Sequence, residues 1–162
     1  MGASETHEFA EGVQTETNDF VLSPFRVDHS PVDQAFGLRL ESERGAIAFS
    51  GDTSALESLA RAAHGVDLLV HEVFESSSAR RRLAAIRERA GDQSLEFRAV
   101  SGIYRYHTGS EELGPVALLA DTPHLILNHV LGQSELGLIE TDIQRWYQGQ
   151  ITVGEDLQTF SV

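Results

Sequence analysis

The chain has 162 residues, 41% of them hydrophobic and 23% charged, the length and composition of one globular domain with room for a core. Twenty-five acids against twelve bases, all of them Arg, give a formal charge of −13, which opposes nucleic acids and anionic membranes as partners except through local basic patches. There is no Cys, so disulfides and thiolate ligands are excluded and any metal must be held by the seven His and the carboxylates.

The opening MGASETHEFAEG is acidic and polar instead of basic then apolar, and no apolar run approaches the ~20 residues of a membrane span. A soluble, cytoplasmic protein is expected. Residues 1–19, with five acids and little periodicity, read as a polar arm or loose edge strand. Phe20 to Val27 is β-like but interrupted by Pro24, which suggests an edge strand or a bulge. Phe36 to Glu41 alternates as a half-buried strand does, and Glu43, Arg44 and Gly45 make a turn into the short strand Ala46 to Ser50. That strand ends in Gly51-Asp52-Thr53, after which Ser54-x-x-Glu57 forms a capping box for a helix that Gly65 stops.

Asp67 to Val70 is a buried-strand pattern ending in His71-Glu72. The next helix carries Leu83, Ile86 and Ala90 on one side and Arg80, Arg81, Arg82, Arg87 and Arg89 on the other, the one concentrated basic patch; it reads as a solvated face or a phosphate-binding one. Thr108-x-x-Glu111 is a second capping box, with Pro115 as first residue of the helix after Gly114. Leu125 to Leu127 form a strand ending at Asn128-His129, and Ile139, Ile143, Trp146 and Tyr147 mark one face of a last helix before an extended ending. Short apolar strands alternating with helices predict an α/β layer architecture, one sheet with helices on one face, whose other face also needs cover.

Three apolar runs thus end in polar groups: Asp52, then His71 and Glu72, then His129. In α/β sheets ligand sites gather beyond that edge of the strands, and His107, ahead of a helix, can reach the same edge. Each also has a structural reading. Asp52 can be a turn residue, His71 a satisfied strand-end histidine, Glu72 solvent-facing, His107 part of its capping box and His129 an ordinary strand exit. His64, in the last turn before Gly65, suits the helix dipole, and His7 and His124 have no informative context.

The ordered set FSGDT, LLVHEVF, YHTGSEELG and LILNHV, preceded by FRVDHSPVDQAFGLRLE and followed by VGEDLQTFSV, resembles the metallo-β-lactamase superfamily, in the branch holding ribonuclease Z and arylsulfatase-like hydrolases. The resemblance runs from about Thr17 to the end. It implies a metal-dependent hydrolase in which Asp52 bridges two divalent ions, usually zinc, and His129 is a terminal ligand. It further implies that His71, Glu72 and His107 serve a proton relay, Glu72 orienting His107 as general acid, with His29 a pocket or outer-sphere residue.

The family's His-x-His-x-Asp-His motif is absent from the chain. The family fold is a four-layer αββα sandwich of two αβ halves, so residues 20–162 look like the carboxyl-terminal half, carrying only part of the metal site and expected to be inactive alone. An exposed apolar sheet face around Ile47, Phe49 and Leu69 is then expected, to be covered by a dimer partner or a complementary chain. The acidic balance favours a small ester over RNA as substrate. The alternatives are a non-catalytic binding or assembly remnant of the fold, or an unrelated α/β module.

Overall fold

The computed structural model describes residues 8, 10–12, 15–132 and 135–162. Among them seven strands form one mixed sheet in chain order: β1 (Thr15–Glu16), β2 (Val21–Arg26), β3 (Phe36–Ser42), β4 (Gly45–Phe49), β5 (Leu68–Phe74), β6 (His124–Leu131) and β7 (Gln150–Val153). β1 to β4 pair antiparallel and β4 to β7 parallel. The parallel strands are joined through α1 (Glu57–Ala62), then α2 (Ser76–Ala90), α3 (Leu95–Arg105) and α4 (Ser110–Ala120), then α5 (Leu136–Gln144). None of these helices is long and apolar enough to cross a membrane.

The core forms because alternate strand residues share a face. Ala48, Leu69, Val73, Leu125 and Leu127 pack with Leu59 and Ala60 of α1, Leu113, Val116 and Ala117 of α4, and Ile139 and Ile143 of α5. On the opposite face Leu68 and Ile126 are buried, while the remainder is only partly covered. Phe160 stacks edge-on against His124 and Val162 lies against Gly45, while Phe49 remains 40% exposed and Ile47 and Val70 half-buried. Leu69, expected on that open face, is instead fully enclosed beneath the helices, because its position in β5 has the parity of Val73.

The α/β class holds, and so does the edge position of Pro24, since β1 pairs only with Val21 and Leu22 and leaves β2 an edge from Ser23 onward. Several other local expectations do not. The Ser54–Glu57 capping box does not form, since α1 begins at Glu57 with Leu56 ahead of it and no side-chain cap. Glu112, not Glu111, closes the turn before α4 by accepting from the Gly109 N–H at 3.3 Å, while Glu111 pairs with Arg80. Pro115 lies inside α4 instead of opening it. α3, which no expectation covered, packs against α2 and puts Tyr104 4.9 Å, ring to ring, from Phe74 at the end of β5.

α2 is fixed at its start by Glu75, only 2% exposed, whose carboxylate accepts the amide hydrogens of Ser77 and Ser78 at 2.7 Å each. Burial alone would raise this carboxyl, but the bonds from Ser78 and Ser77 outweigh it and hold it down at about 2. A depressed carboxyl stabilises the fold fully above its unfolded value of 4.5 and loses that contribution as the pH falls toward 2. Glu75→Ala is expected to cost about 1 kcal/mol at neutral pH. In urea denaturation at pH 7 and pH 3, the variant should also show a smaller loss between the two pH values than the parent.

Candidate metal centre

Three backbone devices aim the site at the carboxyl edge of the parallel strands. After β4, Gly51 adopts φ +62°, and a Cβ there would sit 2.8 Å from the Phe36 carbonyl oxygen, so glycine is required on two counts immediately before Asp52. In β6 the pairing passes from Glu72↔Asn128 directly to Val73↔Val130, leaving His129 as the extra residue of a bulge with φ +41°. Strict alternation would put His129 on the helix face with Leu127. The bulge turns it instead to Asp52, with Nδ1 2.7 Å from Oδ1. Third, the loop after β2 brings in His29, whose Nδ1 lies 3.1 Å from the Tyr106 carbonyl oxygen. A carbonyl only accepts, so Nδ1 carries the hydrogen and Nε2, 4.0 Å from Asp52 Oδ2, is the nitrogen left to bind a cation.

His107 completes the group. Its ring centroid is 4.8 Å from that of His29 and 5.6 Å from that of His129. One donor atom each from His29, Asp52 and His107 lie within 4.8 Å of one another. Asp52 and His129 are partly open to solvent, whereas His107 is 9% exposed.

Behind His107 lies Glu72, 1% exposed. Its Oε1 accepts the amide hydrogens of Thr53 (3.1 Å) and Thr108 (3.0 Å) and lies 3.1 Å from His107 Nδ1. Oε2 is buried with no partner among the described residues. Burial drives this carboxyl up to about 8 and the Asp52 charge adds to the rise, against the two amides, which favour the ionised form. Burial likewise lowers the His107 imidazole, with Asp52 opposing. The threonines lock the same loops a second time: Thr108 Oγ1 donates to the Thr53 carbonyl at 2.8 Å, and Thr53 Oγ1 accepts from the Asp28 N–H at 3.2 Å.

Of the residues singled out in sequence, Asp52, Glu72, His107, His129 and His29 converge. His71 does not. One residue before Glu72, it points to the helix face, fully enclosed, with Nδ1 2.7 Å from the Glu72 carbonyl oxygen. Burial holds its imidazole down at about 4, so it is neutral in the fold. Thr53 and Thr108 were read only as turn and cap residues, and nothing in their spacing signals that their amides share one carboxylate. His124 is bonded to Thr152 at 2.9 Å, His64 lies past the end of α1, and His7 falls outside the described residues.

No protein-family model matches the chain. Ribonuclease Z of Mycobacterium tuberculosis is 30% identical over 165 aligned residues, covering 98% of this chain and 54% of that protein; ribonuclease Z of Mycolicibacterium gilvum is 27% identical, covering 98% and 52%. Among solved structures, the metallo-β-lactamase fold protein YhfI from Bacillus subtilis superposes with a TM-score of 0.67 at 17% identity, covering 91% of this chain and 52% of that one. Human tRNase Z, short form, gives 0.57 at 19%, covering 91% and 44%. The fold is therefore of the metallo-β-lactamase type. The chain belongs to the metallo-β-lactamase superfamily, in its ribonuclease Z branch, and spans between about half and two thirds of the curated relatives it matches.

These relatives overturn the expectation of a small ester ahead of RNA, since they are named as ribonucleases. The formal charge misled because it sums over the whole surface. Seven of the twelve Arg lie between positions 80 and 105, leaving the rest of the chain to carry the acidity.

Glu72→Ala is expected to lower the unfolding free energy by about 2–6 kcal/mol, because it leaves two buried amides unpaired at about 1–3 kcal/mol each. Glu72→Gln, which keeps an acceptor oxygen, should lose much less. Urea denaturation of the two variants side by side checks the difference.

Proposed function

We propose that this chain supplies part of a divalent-metal hydrolase of the ribonuclease Z kind, acting on a phosphodiester of RNA. The observation that carries this reading is the convergence of His29, Asp52 and His107, from three loops, and His129, from the β6 bulge, on one sheet edge, with Glu72 buried behind His107. Residues 20–162 are assigned as the carboxyl-terminal half of the domain. The relatives' names supply the substrate class.

The donor set of Asp52, His29 and His129 suits zinc, since it consists of a carboxylate with an imidazole nitrogen 4.0 Å away on one side and another 2.7 Å away on the other. Asp52, with two oxygens, would bridge a pair of ions; His129 and His29 would each offer an imidazole nitrogen. A bound ion pair would supply Lewis acidity and lower the pKa of a water. Catalytic zinc takes about three protein ligands per metal, so these residues need further ligands, which we assign to a His-x-His-x-Asp-His segment outside this chain.

The proton chemistry rests on the chain's own residues. In hydrolysis a water oxygen bonds to phosphorus, the P–O ester bond breaks, and the leaving oxygen requires a proton. With Nδ1 held at Glu72, His107 has Nε2 turned to the cluster to deliver it, and Glu72 orients the ring. His71, enclosed on the helix face, has no place in this assignment.

Metal analysis decides the reading. Joined to the missing segment, the protein is expected to hold about two zinc equivalents, and Asp52→Ala or His129→Ala to lower that content. His107→Ala should keep the metal while slowing RNA cleavage by about 10²–10⁴-fold. Zinc content unchanged by Asp52→Ala contradicts the ligand assignment. A complete protein that binds no metal supports a binding or assembly role for the fold.

A further inference from the structure

The basic residues of this acidic chain are segregated. Residues 76–105 hold seven Arg against Glu88, Asp92 and Glu96, a net +4, while the remaining five Arg and twenty-two acids leave −17. Within that segment Arg80, Arg81 and Arg89 are paired with Glu111, with Glu75 and Glu135, and with Glu96, and Arg87 lies over the Phe97 ring. Arg98 and Arg105 of α3 are exposed, and no ion pair engages them among the described residues.

Arg98 lines a groove of about 440 Å³ between α3 and the loop carrying His29, which also runs past Gly102, Ile103 and Tyr106 and ends on His107. Positions 98, 102 and 106 fall at i, i+4 and i+8 on one stripe of the helix. Ile103 beside them is 50% exposed. Gly102 is the informative residue. It sits mid-helix, where glycine is disfavoured, and its backbone is not left-handed. A Cβ there would meet only the Tyr106 ring at 3.6 Å, an ordinary contact. Neither backbone nor packing calls for glycine, and its effect is to leave the groove floor bare.

We propose that this groove is the subsite for the nucleotide adjoining the scissile phosphodiester. The base lies against Tyr106 and Ile103 over the backbone at Gly102, and the phosphate is met by Arg98. An apolar and aromatic wall one helical turn from an unpaired guanidinium matches a nucleotide's own division into π-face and anion, and the groove leads straight to the imidazole cluster. The proposal rests on the RNA reading given above.

Fluorescence anisotropy of a labelled oligouridylate of about eight nucleotides, titrated with this chain at two salt concentrations, tests it. Arg98→Ala is expected to raise Kd about tenfold and to reduce the salt slope by about one. Gly102→Leu, which fills the groove, should also raise Kd about tenfold; Gly102→Ala should bind as the parent does and unfold at a higher Tm. Arg44→Ala, at the opposite sheet edge, should leave Kd unchanged. If the parent binds and both Arg98→Ala and Gly102→Leu bind equally well, or Arg44→Ala weakens binding as much, the subsite is wrong and the RNA reading stands. A parent that does not bind the oligonucleotide overturns both.

Discussion

One carboxylate oxygen sets the geometry of this edge of the sheet. Glu72 Oε1 takes amide hydrogens from the loop after β4 and the loop before α4 and sits beside the His107 ring, all in a region closed to water. Two loops with no regular structure of their own are thereby fixed to the tip of β5 and to each other, which is how Asp52 and His107 come to face the same space. The arrangement is strained electrostatically, since burial pushes the carboxyl toward its neutral form while the amides favour the charged one. Perturbed carboxyls of this kind cluster at functional sites.

The other contributors arrive through backbone irregularity. His129 stands on the cluster side only because β6 carries one residue too many at that point and turns through a left-handed conformation to absorb it. Asp52 follows a glycine that no other residue can replace without meeting the Phe36 carbonyl. Regular strands would have sent these side chains elsewhere; the sheet provides the platform, and its departures from regularity provide the aim.

Much of the platform was legible in the sequence. The apolar runs at 46–50, 67–70 and 125–127 marked three of the four parallel strands, because buried parallel strands are continuous apolar stretches, and their polar tips marked the functional edge. His71 shows the limit of that reading. Adjacent strand residues face opposite ways, and a His-Glu pair does not declare which member is turned to the site; packing of Leu69 and Val73 under the helices decided it. The bulge at His129 and the shared acceptor of Thr53 and Thr108 are tertiary facts with no local signature. α3 escaped notice because its apolar positions are interrupted by Gly102, a residue that lowers helix propensity and, on the proposal above, stands there for the groove.

The surface divides in the same way. A chain of net charge −13 carries a basic helical pair beside its candidate centre, so bulk charge said nothing about what reaches that centre. The site as a whole depends on the Glu72 cross-tie, which native-state hydrogen exchange of the Thr53 and Thr108 amides tests most directly. If the tie is as described, both amides exchange among the slowest in the chain, with equal opening free energies, and both become fast together in Glu72→Ala but stay largely protected in Glu72→Gln, which keeps the acceptor oxygen. Exchange at the rate of exposed loop amides, or independent behaviour of the two, would contradict it.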